Sequence, residues 1–563
     1  MTLSFNIFTE LFNPFRLFGP IFDKELRVSS RRKRYYFLRS GYIVLLSFFI
    51  LIVWYSTVGI RSSGNNLYQV SRFSQLGRSI IVYFIWFQFI IAQLTAIVTL
   101  SSSVSDEIHS GTLNVLMTTP VNSFQIVIGK LLSKLLQLVL LLAICVPFLT
   151  IIRIFGGVPW NYIVSSVCIT VTAVFFAGAL SLFLSIYYRH AHSVVLVVII
   201  GYLLFFGALP GLIVWFSARG VLNLQVTHSV IALVNPFWAL AALTQKLSTP
   251  SFKIFSWPMH CLITSIATVF LLAISVWKVR HAALSQAFQG KSVRKIQPKN
   301  NNGTNTQRPQ IVTGPVRRVT GSPVFWKEMY KGFFGHSKTD TAIIILLFVL
   351  AILAGILFLS SSRNNRLMVF PYYLLGGVYL IAMIRLAIFT AGSIAGEKEA
   401  RTWPILLMTP LEKKEIILGK VLAAIWRNIP FLVIYIALLG VFYTCINVQR
   451  FSLSQISISL LIATASIVGS MLFIIGNGLY FSVRFRSAAA AIAATIGSYL
   501  ILRYLFCGIF NPFRFVLMRT IMRSRTSYFV LRFAVSIVPT LILSGIGIIF
   551  IWRAVCRLRR NVF

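Results

Sequence analysis

Apolar runs of eighteen residues or more, almost free of charge, recur along this chain and alternate with short polar connections. A helix of that length crosses about 30 Å of hydrocarbon. Runs at 41–60, 79–101, 131–152, 162–187, 193–216 and 259–277 give six spans, and runs at 341–360, 371–393, 421–444, 455–482, 488–509 and 529–552 give six more. Charged residues make up 11% of the 563 positions and hydrophobic residues 57%, whereas soluble domains carry about 25% charged. The pattern predicts an all-α polytopic membrane protein of about 12 transmembrane helices.

Three regions interrupt the pattern. Residues 1–39 hold an aromatic amphipathic stretch (Phe5, Phe8, Leu11, Phe12, Phe15, Leu17, Phe18) and end in Arg31-Arg32-Lys33-Arg34. That composition fits a helix in the membrane interface, or one packed on the cytoplasmic side, better than a cleaved signal peptide. Residues 281–340 are polar, and 297–309 within them have the make-up of a flexible linker. The stretch 218–257 is moderately apolar but broken by Pro236, which predicts a re-entrant or interfacial outer helix. The chain accordingly divides into an N-terminal segment 1–39, a six-span half 40–280, a linker with a second preamble 281–340, and a six-span half 341–563.

The halves are related. Laying Glu107–Lys130 over Glu397–Lys420 gives eight identities in twenty-four positions, in the pattern E-x4-T-x3-L-x2-T-P-x5-I-x2-G-K. Two further echoes occur in the same order: Pro20-Ile-Phe-Asp-Lys-Glu-Leu26 against Pro323-Val-Phe-Trp-Lys-Glu-Met329, and Asn235-Pro236-Phe237 against Asn511-Pro512-Phe513. Six spans return the chain to its starting side, so the two halves form a parallel repeat and both polar motifs face the same side.

Charge distribution assigns that side. The net charge of +41 invites a nucleic-acid partner, but roughly 34 of the Lys and Arg fall in loops on the N-terminal side and roughly 15 opposite, the bias of a protein with both termini cytoplasmic. All eleven acidic residues also lie on the cytoplasmic side or at its edge. The outer loops are purely basic, with Arg61, Arg72, Arg78, Arg363, Arg366, Arg450 and the cluster Arg514, Arg519, Arg523 and Arg525. Contact with anionic lipid heads accounts for them; attraction of an anionic substrate is the other reading. The six cysteines show no paired spacing that suggests a disulfide framework or metal site.

Each piece of the repeated motif has a physical job. Glu107 and Glu397 offer a carboxylate at the end of the second span of each half. Asn114-Val-Leu-Met and Pro404-Ile-Leu-Leu supply a short apolar helix, too short to insert. Thr119-Pro120 and Thr409-Pro410 stop it, because the residue before proline avoids the helical region. Lys130 and Lys420 then sit at the membrane surface, reaching lipid phosphates or snorkelling. Such a helix either docks a cytoplasmic subunit or tucks against the protein's own spans.

These residues resemble the E-x-x-x-G-T-x-x-x-L-x-x-T-P-x-x-x-x-x-I-x-x-G-K loop of ABC-2 type permeases, the membrane components of one class of ABC transporter. The basic N-terminus, the P-[IV]-F-x-K-E-[LM] preamble and the N-P-F element match as well. The resemblance implies two permeases fused in one chain, each loop meeting an ATP-binding cassette subunit. Glu107, Gly111, Thr112, Leu116, Thr119 and Pro120 would contact one copy, and Glu397, Thr402, Leu406, Thr409 and Pro410 the other. Arg401 stands where the family often has glycine, which puts the equivalence of the two contacts in question. The chain has no G-x4-G-K-[ST] phosphate loop of its own: Gly290-Lys291-Ser292 has Ser285 at the earlier glycine position. ATP and Mg are therefore expected on the partner, and no cofactor in this chain.

Intramembrane charge is scarce. Arg385 and Arg503 are candidates for a pathway role, and Arg427 lies near a span end. The expected function is a permease subunit in the inner (plasma) membrane, an exporter that moves an unidentified substrate outward on ATP hydrolysis by a separate subunit, with membrane lipids and two ATP-binding cassette subunits as partners and no nucleic acid. The alternatives are a non-transporting anchor of an ABC-like complex and a membrane-embedded transferase. The transferase reading needs carboxylates or histidines gathered at one face around a metal or sugar donor, and the sequence offers no such group.

Overall fold

The computed structural model describes residues 66–110, 122–188, 191–221, 223–248, 256–292, 322–330, 369–447, 453–485, 487–502 and 525–559, with isolated helical positions between 22 and 51 and between 345 and 357. The amphipathic stretch of the N-terminus, the linker 297–309, Arg503 and the second N-P-F element fall outside the described residues, as do most of the first and seventh predicted spans.

The first half contains α1 (Asn66–Ser110), α2 (Ser123–Gly156), α3 (Trp160–Tyr187) and α4 (Ala191–Tyr202). A π-helical turn, Leu203–Ala208, leads from α4 into α5 (Leu209–Ala218), followed by α6 (Leu224–Val234), α7 (Pro236–Ser248) and α8 (Trp257–Ser292). The second half contains α9 (Pro323–Tyr330), α10 (Val369–Glu399), α11 (Trp403–Leu407), α12 (Lys413–Asn447), α13 (Leu453–Arg484), α14 (Ala488–Leu502) and α15 (Arg525–Arg559). Among the described residues nine helical stretches are long and apolar enough to cross a membrane, and Ala488–Leu502 is a shorter apolar helix. These cover ten of the twelve predicted spans. The third and ninth begin at Ser123 and Lys413 instead of 131 and 421. The added turns are polar in sequence, yet they are helical because their lysines are paired inside the protein, as described below.

Packing repeats between the halves. The second span lies against the third and fourth (α1 on α2 and α3; α10 on α12 and α13), and the fourth lies against the sixth (α3 on α8; α13 on α15). Lipid offers no hydrophobic contrast, so spans associate by close backbone approach and hydrogen bonds. Gly476 is the clearest case: a Cβ there would lie 2.0 Å from the carbonyl oxygen of Gly547. Serines bridge the second and fourth spans in both halves, about two helical turns apart in register. Ser181 donates to the Ile97 carbonyl at 2.8 Å, and Ser482 Oγ accepts from the Ile394 and Ala395 amides at 3.0 and 2.8 Å. The halves meet where α4 and the π-helical turn pack on α10.

The stretch 218–257 contains two short helices, α6 and α7, joined at Asn235-Pro236. Asn235 is buried. Its Oδ1 accepts from the amides of Phe237 and Trp238 at 3.0 and 3.4 Å, capping α7, while its Nδ2 donates to the Phe206 carbonyl at 2.7 Å. Proline then occupies the first helical turn, where a missing N–H costs nothing. Phe237 packs edge-on to Phe89, with ring centroids 5.1 Å apart. The N-P-F element thus fastens α6 and α7 onto a π-helical turn, a place where a span leaves backbone carbonyls less well satisfied.

Candidate functional site

In the second copy of the repeated motif, α10 ends in a Schellman turn. The Thr402 amide donates to the Glu397 carbonyl at 3.0 Å and the Arg401 amide to the Lys398 carbonyl at 3.2 Å. This turn needs a left-handed residue at the position after the cap, normally glycine. Arg401 occupies it with φ of 56°, the only described non-glycine residue with positive φ. A side chain there costs roughly 1–2 kcal/mol. Gly111 holds the corresponding place in the first copy, so the glycine of that motif is a backbone requirement that Arg401 meets under strain.

Behind the turn lies a buried ionic cluster. Lys420, on the second turn of α12, is 2% exposed. Its Nζ reaches Glu397 Oε1 at 3.2 Å and Glu328 Oε1 at 3.6 Å, and donates to the Ser393 carbonyl at 2.9 Å. Lys327 reaches the same Glu397 oxygen at 3.3 Å. The buried part of the cluster is Lys420 between Glu328 and Glu397, and Lys327, its side chain 50% exposed, brings the formal sum to zero from the water side. Glu328 and Lys327 come from α9, the preamble helix. It can approach because Gly419 precedes Lys420: a Cβ at Gly419 would lie 3.0 Å from Val324 Cβ and 3.2 Å from the Phe325 amide nitrogen. Preamble and loop, separate echoes in the sequence, are two sides of one structure. The expectation that Lys420 snorkels to lipid is corrected accordingly, because its ammonium has carboxylates within reach and no need of the surface.

The two residues after Glu397 reach other spans. Lys398 Nζ donates to the Val483 carbonyl at 2.5 Å and to the Ser482 carbonyl at 3.4 Å, both at the C-terminal end of α13. Glu399 Oε1 accepts from the Ala488 amide at 2.7 Å, the first turn of α14. Cation on helix C-terminus and anion on helix N-terminus are the favourable senses of the helix dipole. Glu397, Lys398 and Glu399 thereby tie the loop to the preamble and to spans nine, ten and eleven.

On this base stands α11. Trp403 is buried, whereas Ile405 and Met408 are 67% and 86% exposed. Arg401, Thr402, Pro404, Thr409 and Pro410 are exposed and Leu406 is half-buried. Thr402 Oγ1 donates to the Glu397 carbonyl at 3.3 Å, and Thr409 Oγ1 to the Leu406 carbonyl at 2.5 Å. Both repeated threonines thus secure turns. The repeated isoleucine, Ile416, is 1% exposed.

The first copy is described at its two ends. Glu107 pairs with Lys130. Lys130, 3% exposed, also donates to the Ser103 carbonyl at 2.6 Å. Here too the expected surface lysine is a buried one. Asn122 and Gln125 form a capping box at the start of α2, which starts the helix before its apolar run begins. Gly111, Thr112, Leu116, Thr119 and Pro120 lie outside the described residues.

The profile of the ABC-2 family transporter protein matches residues 20–284 and again 283–513. The chain belongs to the ABC-2 transporter family. It carries the family's unit twice, as two repeats, and is a multi-pass membrane protein. No individually curated protein matches it. ABC-2 family proteins are membrane components that work with ATP-binding subunits.

In this ABC-2 protein Gly290-Lys291-Ser292 ends the long helix α8, whereas a phosphate loop opens a helix after a strand. Arg385 is 8% exposed, with its guanidinium carbon 4.5 Å from the Phe431 ring centroid. Phe431 lines a cavity between α10, α12 and α13 together with Tyr379, Met383, Asn428, Tyr435 and Met471. Arg427 lies 4.7 Å from the Phe389 ring centroid. The residues that sequence reasoning missed are Lys327, Glu328, Lys398 and Glu399. The signal for the first two was present, because K-E recurs in both preambles. For Lys398 and Glu399 nothing in the first copy points to them, since Ile108 and His109 stand there.

Proposed function

We propose that this chain is the permease subunit of an exporter, driven by ATP hydrolysed on separate nucleotide-binding subunits that dock on its two repeated loops from the cytoplasm. One observation supports the reading: α11 and its C-cap carry Ile405 and Met408 on the exposed surface of the protein, on a base that charged side chains fix to the preamble and to spans nine, ten and eleven. Exposed methionine and isoleucine on so short a helix suit a protein partner. A rigid base means that force applied to α11 reaches several spans at once, as rigid-body switching requires. Arg401, Thr402, Leu406, Thr409 and Pro410 belong to the second docking loop, with Glu397 positioning it. Gly111, Thr112, Leu116, Thr119 and Pro120 form the first, positioned by Glu107. Both termini lie in the cytoplasm and the spans in the inner membrane. ATP and Mg belong to the docked subunits, of which two bind per chain. Arg385 and Arg503 serve the pathway.

The test is binding of purified ATP-binding cassette subunits of the same organism to the full chain in nanodiscs. The double variant Ile405→Asp, Met408→Asp is expected to weaken binding at the second loop at least about tenfold, a difference of about 1.4 kcal/mol. Unchanged affinity refutes docking through α11. A complex that forms normally but whose ATP turnover ignores the substitution makes the chain an anchor and not a permease.

A further inference from the structure

We infer that the guanidinium of Arg401 binds a carboxylate on the nucleotide-binding subunit that docks at the second loop, so that the two docking sites of this chain select partners, or partner faces, of different chemistry. The inference rests on the docking reading above and adds the chemistry of one contact to it.

Three observations meet at this residue. Its backbone adopts φ of 56° in a turn suited to glycine. The duplication provides an internal comparison, because the same motif position is Gly111 in the first copy. A strained residue held where a freer one fits points from the conformation toward a use for the side chain. Second, Arg401 is exposed, and among the described residues no side chain or carbonyl accepts a hydrogen bond from its guanidinium. The use is therefore not a described contact within the chain. Third, Arg401 lies four residues before Ile405 and seven before Met408 on the same exposed turn. A subunit seated on those apolar side chains comes within reach of the arginine.

Guanidinium favours carboxylate or phosphate because its planar fork matches either one in a two-bond geometry. The surroundings choose between a protein carboxylate and a lipid phosphate. The return from the same loop, Glu412-Lys413-Lys414-Glu415, sums to zero formal charge, so Arg401 does not belong to the kind of polybasic cluster that binds an anionic membrane surface. Arginine beside methionine is also the composition of protein interfaces. Of the exposed residues of the second loop, Thr402, Thr409 and Pro410 recur in the first sequence copy, whereas Arg401, Pro404, Ile405 and Met408 are matched there by Gly111, Asn114, Val115 and Thr118.

The experiment uses the full chain in nanodiscs and the ATP-binding cassette subunit of the same organism that binds it, with affinity measured at low and at raised salt. Arg401→Gln and Arg401→Gly are both expected to weaken binding at the second loop about tenfold at low salt and to flatten its salt dependence. Arg401→Gly should unfold no lower than the parent chain, because it also relieves the backbone. Wild-type affinity and salt dependence in Arg401→Gln overturn the inference. If Ile405→Asp, Met408→Asp abolishes binding while Arg401→Gln does not, the arginine inference fails and the docking reading stands. If neither variant weakens binding, or the parent chain does not bind, the docking reading falls and takes the inference with it. An effect that follows the anionic lipid content of the nanodisc and not the partner assigns the arginine to headgroups, and also overturns it.

Discussion

The two copies of the repeated loop share their frame and differ at their face. The eight residues identical between Glu107–Lys130 and Glu397–Lys420 are, in the second copy, overwhelmingly residues that hold the loop. Glu397 and Lys420 pair, Thr402 and Thr409 secure turns, Ile416 is buried and Gly419 admits the preamble helix. The most exposed side chains, Ile405 and Met408, are not among the eight. Most of what recurs has a described part in holding the second loop, and the exposed apolar pair does not recur.

The sharpest way to break the comparison is to remove the buried lysines. Lys420 reaches two carboxylates, and Lys130 pairs with Glu107. Lys420→Met leaves Glu397 and Glu328 facing each other without their shared cation, so it is expected to cost about 5 kcal/mol, with Lys130→Met costing about 3 kcal/mol if Glu107 is its one carboxylate. Thermal unfolding of the two variants in the same detergent checks the order. Equal losses imply that the first half has a second carboxylate on Lys130, and that the two frames are the same after all.

A smaller effect is expected at the preamble. Gly419→Ala puts a methyl 3.0 Å from Val324 Cβ, and α9 must shift to accommodate it. Overpacking of that kind costs about 1–3 kcal/mol. Protection of the α9 amides from hydrogen exchange should fall while the middle of α12 keeps its protection. Unchanged protection in α9 shows that the helix is held by its ion pairs alone.

The described spans and the duplication were legible in the sequence because hydrocarbon imposes length and apolarity on any crossing helix, and that pattern survives in the residues themselves. The start of the third and ninth spans was not. Lys420 looks like loop until its partners are known, and one of them lies far along the chain: Glu328 is ninety-two residues from Lys420. The same distance hid the preamble's purpose, although its K-E pair recurs. Lys398 and Glu399 were invisible for another reason. They act on backbone groups at helix ends, Val483 and Ala488, and any sequence supplies such groups. Arg401 was legible as an oddity, and its positive φ turns the oddity into a physical cost.

The smallest predicted effect tests the part of the frame that the halves do not share. Glu399 accepts from the Ala488 amide at the start of α14, while the matching residue of the first copy is His109. A carboxylate on a helix N-terminus contributes about 0.3–1 kcal/mol, up to about 2 where partly buried. Glu399→Gln keeps an acceptor but loses the charge, so it should speed hydrogen exchange of the first amides of α14 by several-fold and leave overall unfolding almost unmoved. His109→Gln should leave the first turn of α4, the corresponding span of the first half, as it was. If Glu399→Gln leaves the exchange of Ala488 unaltered, the loop is coupled to the eleventh span through packing alone. If His109→Gln loosens α4, the first loop has reached the same span by a different side chain, and the two halves are more alike in action than in residues.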